Sequence, residues 1–314
     1  MTISVLRTAD AWWVYTATGA AKIATTDVHA TTAELLTDRA AIEAAASDTN
    51  TVPVDSLDLL SPVTAPCRVV AQMTNFASHV RDAGMEPASI PLTFFRKSSA
   101  SIAGPTDAIV KPSHVRFLDY EVEIGLVMGT DIPVGSTITD ANLADYVAGL
   151  VVTNDVSARD IQLPQTQFYE AKSYPTFTPV GPALVLLTAA ELKRFGELRL
   201  QLRVNGQLRQ DMRVGGDMIY SPLQALQSLT RFQDLRAGDL ILTGTPVGTA
   251  LSAPPKAVAL IGSLLPPAVK WKAFFKSQAR NPKYLHDGDV VEATVATDDG
   301  AIDLGAQRNI VKYA

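Results

Sequence analysis

The chain has 314 residues, enough for one large domain or a main domain with a smaller partner, and either buries a sizeable core. A net charge of −5 argues against a surface that tracks a phosphate backbone, so no nucleic acid is expected as a partner; small anions remain open if a site is locally basic. The single cysteine, Cys67, excludes an internal disulfide and a cysteine-rich metal site, and it fits a reducing compartment.

The segment Met1–Arg7 lacks a basic region followed by a long apolar core, and no apolar run approaches the roughly 20 residues of a membrane helix. No signal peptide, no membrane and a cytoplasmic location are therefore expected. Residues 1–62 read as a small N-terminal domain, with strand-like pieces around Trp12-Trp13-Val14-Tyr15 and an alanine-rich helix from Thr32 to Ala46. Asp55–Pro66, with Pro62 and Pro66, reads as a linker. Residues 63–314 form a larger β-rich unit with strands expected at Arg68–Ala71, Tyr120–Met128, Val147–Thr153 and Ala183–Leu187. Leu198, Leu200, Leu202 and Val204 alternate with polar residues before Asn205-Gly206, a strong hairpin signal. Ser221-Pro222 supplies the cap and first-turn proline of a helix. Asp287-Gly288 and Asp299-Gly300 read as turns between β-branched runs. The order predicts an α+β fold, mainly β and mainly antiparallel, without the regular strand-helix alternation of a doubly wound sheet.

The most informative stretch is Asp119-Tyr120-Glu121-Val122-Glu123-Ile124-Gly125-Leu126-Val127. A strand repeats every two residues, so Glu121 and Glu123 project from one face while Val122, Ile124 and Leu126 alternate with them. Two adjacent acids in an apolar run repel, and a hard divalent cation with oxygen ligands removes that repulsion. Asp155, in Val152-Thr153-Asn154-Asp155, offers a third carboxylate. Spacing alone leaves open a half-exposed strand with two solvated glutamates.

Several further segments share an order and spacing: Asn75-Phe76-Ala77-Ser78-His79, Phe95-Arg96, Asn154-Asp155-Val156-Ser157-Ala158-Arg159-Asp160-Ile161-Gln162, Lys172 before Pro179-Val180-Gly181-Pro182, Val204-Asn205-Gly206, and Gly238-Asp239-Leu240-Ile241-Leu242-Thr243-Gly244-Thr245-Pro246. With the Glu121-Glu123 strand, over residues 66–314, the chain resembles the fumarylacetoacetate hydrolase superfamily. The resemblance implies a mixed β-roll, a homodimer, and Glu121, Glu123 and Asp155 as ligands of Mg²⁺, with Mn²⁺ or Ca²⁺ as alternatives. It implies a 2,4-dioxo acid substrate of the acylpyruvate or fumarylpyruvate type. The leading expectation is hydrolysis of its carbon-carbon bond through a pyruvate enolate stabilised by the cation. An oxaloacetate decarboxylase or enol-keto isomerase on the same fold is the alternative, since these reactions share the enolate. A catalytically silent metal scaffold would lack a ligand, base or lysine, and all are present.

In the hydrolytic reading His79 activates water, with Asp82, one helical turn on, orienting the imidazole. Asp82 stands where the family pattern has glutamate, and Arg96-Lys97 stands where many relatives have Lys-Pro. Lys172 would face a developing oxyanion. Arg96 would pair with a distal carboxylate or acyl oxygen, Gln162 would donate to the substrate, and the Thr245 turn would hold a carboxylate. An insertion at about 252–284 carries Pro254-Pro255 and a basic, aromatic run with Trp271, Phe274 and Phe275 on one helical face. A helix packed on the body or on a neighbouring subunit is the simpler account; a wall for the acyl end of the pocket is the functional one.

Overall fold

In the computed structural model, which describes residues 2–25, 27–165, 168–252 and 265–314, apolar alternation sets the register of two sheets. Leu198, Leu200, Leu202 and Val204 all turn inward along Leu198–Val204. Asn205 and Gly206, both at positive φ, fold that strand back onto Gln207–Arg213, the turn geometry that matches sheet twist. This hairpin opens a five-stranded sheet that continues through Val290–Thr297 and Asp303–Tyr313 to Ile109–Lys111.

The larger sheet has ten strands, and Val122–Met128 lies inside it between Val147–Asn154 and Leu240–Leu242. Beyond Leu240–Leu242 come Val69–Gln72, in parallel, and Phe94–Lys97. On the other side, Leu184–Leu186 pairs with Ile3–Arg7, so the first 62 residues continue the same sheet through Trp12–Thr16, Gly19–Lys22 and Thr51–Val52. Ile124, Leu126 and Val152 face Leu200, Leu202 and Val295 in the core between the sheets. Val127, Val151, Leu240 and Leu242 face the other way, onto Leu35 and Ile42.

The alanine-rich segment forms two helices, Thr32–Thr37 and Arg39–Ala46, instead of one. Asp38 ends the first and caps the second, its carboxylate accepting from the Ala41 N–H. A carboxylate that competes for backbone donors breaks a helix at that point. Ser221 caps Pro222–Leu229 in a capping box with Gln224, as its sequence predicts. Among the described residues, no helix is long and apolar enough to cross a membrane.

Candidate metal centre and substrate cavity

Alternation along Val122–Met128 buries Val122, Ile124 and Leu126 between the sheets and leaves Glu123, with Glu121 just before the strand, on the other face. Asp155 is brought alongside by its N–H, which donates to the Glu121 carbonyl at 2.8 Å, while Asn154 Oδ1 accepts the Glu121 N–H at 2.9 Å. The three carboxylates offer oxygens within 4.8 Å of one another, and all three are buried. Half-exposed, solvated glutamates are therefore not what the structure holds: Glu123 is 1% exposed. Burial, then Asp155 and Glu121 nearby, push the Glu123 carboxyl well above the usual range. It keeps one strong partner, the Gly244 N–H at 2.7 Å. Gly244 has φ +88° and its backbone lies against Asn75, where an added Cβ would stand 2.8 Å from the Asn75 Cβ, so the turn needs glycine there.

Cations surround the other two acids. Lys172 Nζ donates to Glu121 Oε2 and Asp155 Oδ2, each at 2.7 Å. Arg159 donates to Glu121 Oε1 at 2.5 Å and to Asp119 Oδ2 at 2.8 Å. Burial alone would raise Glu121; Lys172 and Arg159 overcome it and hold the carboxyl down to about 2. Lys97, fully buried, donates to Asp155 Oδ1 and to the Phe177 carbonyl. Burial pulls the Lys97 ammonium down despite Asp155, whereas Lys172, with two carboxylates, is held up against the same burial. Three carboxylates, with no sulfur or imidazole among them, fit a hard divalent cation, which would take over charge compensation now supplied by the lysines.

Sequence reasoning passed over Lys97 and chose Arg96. Strand parity separates them: Arg96 is exposed on the face away from the carboxylates, while Lys97 and Phe95 point the other way. A two-residue count from Phe95 within Phe94–Lys97 carries the signal.

A cavity of about 550 Å³ opens onto the acids and is lined by Glu121, Glu123, Asp155, His79, Gln162 and Lys172, with Thr245 and Leu251 also at its wall. Phe95 and Phe168 meet edge-on there at 5.5 Å. His79 Nδ1 is buried without a hydrogen-bond partner. Burial lowers the His79 pKa, with Glu121 opposing, so the imidazole is neutral near pH 7. Asp82, expected to orient His79, makes no hydrogen bond or ion pair to it among the described residues and does not line the cavity. Gln162 Oε1 is taken by Arg159 at 2.7 Å. The Thr245 hydroxyl is also engaged, donating to the Val122 carbonyl at 2.9 Å and accepting from Gln210 at 2.8 Å. The hydroxyl thus locks the turn, and the backbone at Gly244 and Thr245 forms the cavity wall.

Residues 253–264 of the expected insertion, including Pro254-Pro255, lie outside the described residues. Its basic run forms the helix Pro267–Gln278, which packs on the body. Phe275 stacks on Phe117 at 5.6 Å and on Trp271 at 5.8 Å, with Arg116 over both Phe117 and Phe275. None of Trp271, Phe274 or Phe275 lines the cavity. Among the described residues, the segment leading into the insertion reaches it: Leu251 is at the wall, and Asp119 accepts the Ala250 and Leu251 N–H groups at 2.8 and 3.1 Å.

Residues 68–312 match the family model described as fumarylacetoacetate (FAA) hydrolase C-terminal. The mitochondrial oxaloacetate tautomerase Fahd2a of Rattus norvegicus is 34% identical over 201 residues, 64% of this chain and 62% of that protein, so the match spans less than two thirds of the relative. Oxaloacetate tautomerase YisK of Bacillus subtilis (strain 168) is 30% identical over 246 residues, 77% of this chain and 71% of that one. Among solved structures, a probable 2-hydroxyhepta-2,4-diene-1,7-dioate isomerase from Mycobacterium abscessus aligns with TM-score 0.74 and 31% identity, covering 100% of this chain and 99% of that one.

Proposed function

The chain belongs to the fumarylacetoacetate hydrolase family, and from that premise we propose that it is a metal-dependent enol-keto tautomerase of a 2-oxo dicarboxylic acid of the oxaloacetate class. The observation that carries this reading is His79: a neutral imidazole at the cavity wall, with no acid holding its second nitrogen. In the hydrolytic reading Asp82 orients and polarises the base that activates water, and no such contact to His79 is present among the described residues. Moving a proton between C3 of the substrate and its enol oxygen requires a neutral base within reach and no activated water. The names of the relatives support this alternative better than carbon-carbon hydrolysis.

Glu121, Glu123 and Asp155 would hold the cation, which supplies Lewis acidity toward the oxo and carboxylate oxygens of the substrate. Lys172 and Lys97 keep the acids from repelling one another apart. Arg159 braces Glu121 and fixes the Gln162 carbonyl, which turns the amide nitrogen of Gln162 toward substrate. Phe95, Phe168 and Leu251 keep the reacting carbon dry, so that proton return to carbon competes with exchange into solvent.

A panel of enol-oxaloacetate, fumarylpyruvate and acylpyruvates with Mg²⁺ or Mn²⁺ tests the proposal, following the enol absorbance and pyruvate separately. Loss of enol without pyruvate supports tautomerisation. Stoichiometric pyruvate with a carboxylic acid from an acylpyruvate would restore hydrolysis as the function.

A further inference from the structure

His79 rides on a helix of six residues, Ala77–Asp82, too short to hold its place alone. Its N-cap residue, Phe76, has no side-chain oxygen, so the first turn lacks the usual internal acceptor. The acceptor comes from far along the chain. Asp217 Oδ1 accepts the Ser78 N–H at 2.8 Å, Oδ2 accepts the Ser78 hydroxyl at 2.5 Å, and the Asp217 carbonyl accepts the Ala77 N–H at 2.7 Å. Asp217 is 8% exposed, so these bonds are little weakened by water.

The same segment grips the residues leading into the helix. The Ile219 N–H donates to the Asn75 carbonyl and the Tyr220 N–H to Asn75 Oδ1, both at 2.8 Å, while Phe76 bridges to Met218. Ser78 Oγ in turn accepts the Val247 N–H at 3.2 Å, two residues beyond Thr245. Ser78 therefore joins the helix that carries the imidazole to the turn that walls the cavity, and Asp217 holds Ser78.

We infer that Asp217 is a positioning residue: acting through Ser78, it supplies from a distant segment of the chain the helix cap that aims His79 into the cavity. The inference rests on the reading of His79 as the proton carrier. Removing one cap costs about tenfold in the population of a marginal helical turn, so Asp217→Ala lowers kcat about tenfold with KM within about twofold. Asp217→Asn keeps the acceptor for the Ser78 N–H and loses less. Hydrogen exchange speeds up at amides 80–82 and stays unchanged along 122–128. If Asp217→Ala does not fold, Ser78→Ala removes the hydroxyl links alone and gives the same pattern.

The deciding experiment is the double variant. In a His79→Ala background, Asp217→Ala costs less than about twofold more in kcat, because the group it aims is already gone. Independent losses that multiply in the double variant, or unchanged exchange at 80–82, would overturn the positioning role while leaving His79 in place. An unchanged rate in His79→Ala alone would overturn the reading of His79 and this inference with it.

Discussion

Glu123→Gln in metal-free protein should raise stability, an inversion of the usual cost of altering a buried polar residue. Charges 4.8 Å apart, the outer bound for this triad, repel by about 3.5 kcal/mol at an effective dielectric near 20. Glu123 has two such neighbours, Glu121 and Asp155, and Lys172 and Lys97 offset most of the repulsion, leaving about 1–2 kcal/mol against the charged form. Glutamine keeps the size and keeps an oxygen for the Gly244 N–H. The expected gain in Tm is about 2–5 °C in chelator. Saturating Mg²⁺ reverses the order, because the wild type gains about 2.7 kcal/mol at a hundred times Kd and the variant, lacking one ligand, gains less. Because burial and the neighbouring acids raise the folded-state pKa of Glu123, its contribution to stability is full below the ordinary glutamate range and is lost as pH rises through the raised value. The advantage of glutamine therefore shrinks as pH is lowered. Differential scanning fluorimetry with and without Mg²⁺, across pH, reads all three effects. A variant less stable than wild type in chelator would show that the fold needs the Glu123 charge, and the repulsion argument would be wrong.

Three further outcomes are expected. His79→Ala lowers tautomerisation by roughly 100-fold with metal affinity unchanged, whereas Asp82→Asn stays within about twofold; steady-state rates and Mg²⁺ titration separate the two. Lys97→Met breaks a buried ion pair and costs about 3–5 kcal/mol in urea unfolding, against about 0.5 kcal/mol or less for the exposed Arg96→Met, and equal costs would refute the strand parity. Phe275→Ala, which empties the stack on Phe117, costs about 3 kcal/mol of stability while leaving the ranking of short and long substrates unchanged; a changed ranking would return the insertion to the pocket wall.

The fold class and the glutamate pair were legible because both follow from a period of two: Glu121 and Glu123 share a face as their spacing predicts, and the Leu198–Val204 strand keeps its inward set. Asp155 needed the resemblance, since nothing local says that its strand lies beside the first. Lys97 was legible by parity and was overlooked for its neighbour. Whether Asp82 meets His79 was not legible, because helical spacing places two side chains within a turn without saying whether they touch; here His79 faces the cavity and Asp82 makes no bond to it. The connection of residues 1–62 to the main sheet depends on Ile3–Arg7 pairing with Leu184–Leu186, a contact too distant in sequence for composition to show. The same distance hid Asp217.

The proton-transfer account is tested most directly by stopped-flow ketonisation of enol-oxaloacetate, with pyruvate measured in the same samples. The account predicts enol loss accelerated by enzyme with Mg²⁺, abolished by chelator, cut roughly 100-fold by His79→Ala and accompanied by no enzyme-dependent pyruvate. Ketonisation at the uncatalysed rate in metal-loaded enzyme, with rapid cleavage of an acylpyruvate in its place, would contradict it.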